Sequence, residues 1–259
     1  MKNFVCLIGV GEMGGVFARG LLRSGHPVYP VTRGMTLMEA AKEIPDPEAV
    51  VVGVRENELP GILRTMPQNW RDKLVLVQNE LLPRDWQDQK IITPTVISVW
   101  FEKKRPMDYK VIIPSPVYGP RADLVEAALS SLDIPCQVLN SDEDLLFELV
   151  LKNLYILTIN IAGLEVGGTV RELWGQHQSL AKDITNDVLD IQFDLIEQKL
   201  DRGRLIEGMV KAFAGDWDHK CLGRTAPARL ERVVQQADAA GLAVKTLKKI
   251  SAQQKVKIK

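Results

Sequence analysis

Four short apolar runs punctuate the first eighty residues, at 4–8, 28–31, 49–54 and 73–78. The run at 28–31 is strand-like in character only, whereas those at 4–8, 49–54 and 73–78 are dense in Val, Leu and Ile and lack a polar residue at every second place. That is the pattern of strands covered on both faces. Helical spacing fills the intervals: Val16, Phe17, Gly20, Leu21 and Leu22 share a stripe that ends at Ser24-Gly25, and 36–44 is closed by Pro45 and Pro47. A third helix is expected from about Arg55 to Thr65. Shorter strands are predicted at 91–92, 96–101 and 111–113, and a loop at 114–120, where three prolines and a glycine interrupt the chain. A helix over 121–131 and a strand over 136–139 complete this half. Alternating strands and helices predict an α/β fold with a mainly parallel, doubly wound sheet.

The pattern changes at Asn140-Ser141. Ser141 followed by Asp142, Glu143 and Asp144 reads as a helix N-cap with acids in its first turn. Strand-like runs nearly vanish beyond it. Leu180, Ile184, Val188, Ile191, Leu195 and Ile196 form an apolar stripe, with Asp183, Asp187, Asp190 and Asp194 on another face. The expected organisation is an α/β domain over 1–141, an all-helical domain over 142–250 and a basic tail over 251–259. The last fifteen residues hold Lys245, Lys248, Lys249, Lys255, Lys257 and Lys259 with no acid, as in a solvated, frayed end.

Composition narrows the classes. Thirty-three Lys+Arg balance thirty-three Asp+Glu. No whole-molecule basic field is available for nucleic acid, and no uncharged apolar stretch of about 18 residues suggests a membrane span. Three scattered cysteines (Cys6, Cys136, Cys221) do not make a disulfide scaffold and fit a reducing cytoplasm. No signal peptide is expected, because the first apolar run ends at Gly9 after five residues.

Gly9-Val10-Gly11-Glu12-Met13-Gly14 lies between the first strand and the first helix, the setting that turns a G-x-G-x-x-G match into a dinucleotide fingerprint of the Rossmann-like fold. Gly9 allows the tight turn, Gly11 admits a pyrophosphate close to the backbone, and Gly14 lets the helix pack on the strand. The helix N-terminus offers N–H groups and a positive dipole end to the anion. NAD-binding chains place an acid after the second strand to hold the ribose 2′-hydroxyl. Here Val31-Thr32-Arg33 stands instead. A guanidinium can fork onto a 2′-phosphate that an acid would repel, so NADP(H) is the predicted cofactor. Gly9, Arg55 and Asn79 all follow predicted strands, at the carboxyl ends where such sheets bind ligands.

Hydride transfer to a carbonyl leaves a developing alkoxide that needs a cation and a proton, and a lysine supplies both. Lys152 sits inside the apolar stretch 145–157, and Asn160 follows two turns later on roughly the same side. The bland reading of Lys152 is a snorkelling side chain whose stem covers apolar surface.

The glycine loop, Arg33, the Pro-Ser-Pro-Val-Tyr-Gly segment at 114–119 and a lysine on the first helix of a helical second domain resemble the ketopantoate reductases. The resemblance follows the order of elements over nearly the whole chain. It implies an NADP-dependent reductase acting on a small keto or hydroxy acid, with Lys152 as general acid, Asn160 and Asn79 binding substrate, and Arg55 and Asn79 lining the cofactor cleft. Two positions depart from the family pattern. Ile156 replaces an asparagine one turn after the lysine. The late glutamate falls near Thr225, with Glu231 the nearest acid. The resemblance therefore does not extend to ketopantoate itself.

Gly-Val-Gly-Glu-Met-Gly is also similar to the loop of the β-hydroxyacid dehydrogenases, which use a lysine in the same place. A third alternative is a non-catalytic NADP-binding redox sensor. The sequence leaves the oligomeric state, a homodimer among the options, unset. Asp216, Asp218, His219 and Cys221 bunch together, but no closing ligand set accompanies them and no metal site is predicted. Nucleophile-elbow and P-loop motifs are absent from the sequence.

Overall fold

The computed structural model describes residues 2–103 and 108–257. The chain divides into two compact units, Met1–Leu149 and Val150–Lys259.

The first unit is built on a seven-stranded sheet. Its strands are β1 (Val5–Ile8), β2 (Val28–Val31), β3 (Ala49–Val52), β4 (Leu74–Leu76), β5 (Thr95–Ile97), β8 (Ser115–Tyr118) and β9 (Cys136–Val138), in the order β2-β1-β3-β4-β5-β8-β9. All neighbours are parallel except β5 and β8. Strands β6 (Phe101–Lys103) and β7 (Tyr109–Val111) form a separate antiparallel pair. The helices of this unit are α1 (Glu12–Arg23), α2 (Leu37–Glu43), α3 (Leu59–Arg64), α4 (Pro83–Gln87) and α5 (Ala122–Ser130).

The two-sided hydrophobicity of the strands now has its cause. Val5, Leu7, Val51 and Val75 point into one core with Phe17 and Leu21 of α1 and Val125 of α5. Cys6, Ile8, Val50, Val52 and Leu76 point into the other with Leu37, Leu63 and Trp70. Alternate side chains of each strand leave for opposite faces, and both faces are covered.

Three expectations change. Residues 114–120 are not simply a loop, because β8 runs through Pro116. A proline ring suits an extended backbone, and the Pro116 carbonyl still accepts the Ser98 N–H at 2.9 Å. Residues 91–92 are not a strand. Ile91 is buried and its N–H returns to the Trp86 carbonyl in a turn, while Ile92 is exposed. Leu22, placed on the apolar stripe of α1, faces outward.

Helix α6 (Asp142–Val166) begins in the first unit and continues into the second, followed by α7 (Val170–Gln176), α8 (Gln178–Leu195), α9 (Arg202–Gly215), α10 (Ala226–Ala239) and α11 (Lys245–Lys257). Its 25 residues are long and apolar enough to cross a membrane by length and composition, which the absence of an uncharged run did not suggest. Most of its apolar stretch is buried, as in the core helix of a bundle. The basic end is not a frayed tail as far as it is described. It is α11, seated by buried Leu247 and Ile250. Lys259 lies outside the described residues. Asp187 of α8, assigned to the polar face, caps α11 by accepting the N–H groups of Thr246 and Leu247 at 2.8 and 3.0 Å.

Candidate functional site

Parallel pairing aligns the strand ends. Ile8 is level with Val31 of β2 and Val52 of β3, and Val52 with Leu76 of β4. The segments that follow therefore leave the same edge of the sheet side by side. They carry the glycine loop, Arg33, Arg55 and Asn79, as a ligand site at the carboxyl ends of a parallel sheet requires.

Gly9 has φ +89°, the left-handed region, and its N–H bonds to the Val31 carbonyl. A β-carbon there would stand 2.8 Å from the carbonyl oxygen of Gly53. At Gly14 it would stand 2.1 Å from the Gly9 carbonyl oxygen, so the first turn of α1 lies directly on the loop. Gly11 differs: its β-carbon position has no heavy atom within 4 Å. It is the N-cap of α1 and no side chain caps that end. The loop thus offers an open approach to a helix N-terminus, the surface a pyrophosphate needs. Val10 and Glu12 are exposed, whereas Met13 packs against the core.

Arg33 is almost fully solvated, with 89% of its side chain exposed. No acid follows β2 along the chain, yet one is near in space. Glu58 stands 3.9 Å from the Arg33 guanidinium and its carboxylate accepts the Arg55 N–H at 3.1 Å. Arg55 is itself exposed. Asn79 donates to Glu56 at 3.3 Å. Beside it, buried Gln78 donates to the Val52 and Val54 carbonyls and accepts the Val77 N–H, holding the ends of β3 and β4 together. Sequence reading missed Gln78 and Glu58, because Val52 and Val54 lie more than twenty residues from Gln78, and Arg33 as far from Glu58.

The second unit holds Lys152 and Asn160 on α6. Lys152 is 7% exposed, too deep for a snorkelling surface lysine, and its ammonium lies 5.6 Å from the centre of the Tyr155 ring. The Tyr155 ring neighbours His219 at 6.3 Å, and His219 Nδ1 lies 3.6 Å from a carboxylate oxygen of Asp216. Asn160 is 5% exposed, and its Oδ1 accepts a bond of 2.9 Å from Arg229 of α10, a residue no motif marked.

The Asp216–Cys221 bunch is mainly connective. Its backbone bonds to Gly168, Val170 and Arg171, and Asp218 pairs with Arg171. Burial pushes the Cys221 thiol up to about 11, an inert rather than a nucleophilic state. Among the described residues no three His, Cys, Asp or Glu side chains group as metal ligands. Thr225 precedes α10 and is exposed, as is Glu231.

Comparison with models of known families finds no match. No curated protein sequence matches either. Solved structures do. A 2-dehydropantoate 2-reductase from Methylococcus capsulatus superposes with a TM-score of 0.72 at 12% identity, covering 98% of this chain and 96% of that one. The chain has the ketopantoate reductase fold. A ketopantoate reductase homologue from Ralstonia solanacearum MolK2, solved as a putative one, gives 0.67 at 11% identity, covering 99% and 98%. A D-mandelate dehydrogenase, solved with NADH and anilino(oxo)acetate, gives 0.68 at 13% identity over 96% of each chain. The N-terminal Rossmann-like half and helical C-terminal half expected from the sequence are those of this fold.

Proposed function

We propose that the chain is a soluble, cytoplasmic NADPH-dependent reductase that converts the carbonyl of a small 2-keto acid to a hydroxyl. The observation that carries the reading is the glycine turn, open at Gly11 and closed at Gly9 and Gly14, at the uncapped start of α1. Residues 9–14 would hold the pyrophosphate, Arg33 the 2′-phosphate, and Arg55 and Asn79 the rest of the cofactor, with Asn79 also reaching the substrate. When bound, the cofactor supplies hydride to the carbonyl carbon. Lys152 gives a proton to the carbonyl oxygen as negative charge grows there, and its buried setting strengthens that interaction over one in water. Asn160 orients the substrate. The fold shared with 2-dehydropantoate 2-reductases and a D-mandelate dehydrogenase supports this chemistry.

The test is a fluorescence titration with NADPH and NADH, followed by NADPH oxidation across a panel of 2-keto acids. Binding with turnover of a panel member is expected. Binding without turnover of any keto or β-hydroxy acid would turn the reading into that of a redox sensor.

A further inference from the structure

The turn after β3 brings an acid to the place where the chain after β2 has none. Glu58 is fixed there by two reciprocal bonds. Its backbone N–H donates to the Arg55 carbonyl at 3.0 Å, and its Oε2 accepts the Arg55 N–H at 3.1 Å. The other carboxylate oxygen, Oε1, faces the guanidinium of Arg33 at 3.9 Å. Arg33 stands two residues beyond the end of β2, where NAD-binding chains carry the acid that reaches the ribose 2′-hydroxyl. A carboxylate only accepts and a guanidinium only donates, so the two side chains suit different ribose substituents. A 2′-phosphate gains the forked donors of Arg33 and is repelled by Glu58. An unphosphorylated 2′-hydroxyl has a hydrogen to give, and Oε1 of Glu58 accepts it. The pair is solvated, with 89% of the Arg33 side chain and 42% of that of Glu58 exposed. Such a pair is worth little in itself, so either partner turns to a ligand at small cost.

We propose that Glu58 is a second determinant of cofactor choice. It accepts the 2′-hydroxyl of NADH, so the chain binds NADH as a weaker, second cofactor through a different residue from the one that holds NADPH. The assignment rests on the reading of the glycine turn as a nicotinamide-cofactor site and deepens it: Arg33 serves the phosphorylated ribose and Glu58 the unphosphorylated one.

Fluorescence titration of NADPH and NADH against wild type, Glu58→Gln, Arg33→Met and the double variant tests the proposal. Glutamine has one acceptor oxygen, which the Arg55 N–H engages, and an NH2 group then faces the ribose in place of Oε1. Glu58→Gln should raise NADPH affinity by about threefold and lower NADH affinity by about threefold or more, with a melting temperature within a few degrees of wild type. Shifts of opposite sign are beyond a merely structural role. The loss for NADH should persist in the Arg33→Met background. Unchanged NADH affinity in Glu58→Gln overturns the proposal, as do parallel shifts for the two cofactors. A wild type that binds NADPH but not NADH also overturns it and leaves the NADPH reading standing, whereas a wild type that binds neither overturns both.

Discussion

A β-carbon at Gly11 meets nothing within 4 Å, while one at Gly14 meets a backbone oxygen at 2.1 Å. The two glycines should therefore fail differently. Gly11 has φ −75° and an extended ψ, open to any residue, so Gly11→Val should melt within a few degrees of wild type yet lose NADPH in a fluorescence titration. Gly14→Val should instead lower the melting temperature sharply, because helix or loop must shift. At Arg33 the expected NADPH preference is at least tenfold, about 1.4 kcal/mol. Arg33→Asp should reverse it. Glu58, 3.9 Å from the same guanidinium, would place negative charge beside the 2′-phosphate position proposed at Arg33, so Glu58→Gln should widen the preference. Equal affinities for both nicotinamides in wild type would remove Arg33 from its role. The geometry of the glycine turn was legible in the sequence, because it depends on nearest neighbours along the chain. Glu58, Gln78 and Arg229 were not, since each acts on a partner brought near only by the fold.

Helix α7 shows how termini hold the second unit together. Thr169 and Glu172 form a reciprocal capping box, with the Thr169 N–H donating to the Glu172 carboxylate at 2.7 Å. Backbone and hydroxyl donation from Thr169 hold that carboxyl below the ordinary glutamate value of 4.5. A depressed acid stabilises the fold when charged. The contribution is complete above the unfolded value and is lost as pH falls through the lower folded one. Wild type should accordingly melt above Glu172→Gln at neutral pH, and the gap should close in acid. A gap that does not change with pH would assign the effect to packing. Asp187 caps α11 from another helix, and Asp187→Ala should cost about 1 kcal/mol and speed amide exchange at Thr246 and Leu247. That distant cap helps explain why α11 read as a tail: its sequence is lysine-rich, and its anchors include Leu247, Ile250, an aspartate fifty-nine residues earlier and a Gln254 amide that donates to the Leu164 carbonyl. Strand β8 was hidden by Pro114 and Pro116, whereas β1, β3 and β4 stood out because both of their faces are buried.

At the scale of the molecule, the fold was legible as a class, because a run of two-sided strands and a later all-helical stretch demand different packing. The boundary was less so. Residue 141 marks a change of pattern, but α6 starts there with Leu145 and Leu149 in a core of the first unit, and the compact units divide after Leu149. The proposed reaction draws its proton from Lys152, on the part of α6 that belongs to the second unit. Lys152→Met keeps most of the apolar stem and removes the ammonium, so packing and chemistry separate. The decisive measurement is NADPH oxidation with the 2-keto acid panel by wild type and Lys152→Met, alongside cofactor titration of both. The account predicts matched NADPH affinities and a turnover lower by roughly 10²–10⁴ in the variant. A variant that binds NADPH and turns over at the wild-type rate, or a wild type that binds neither nicotinamide, would contradict it.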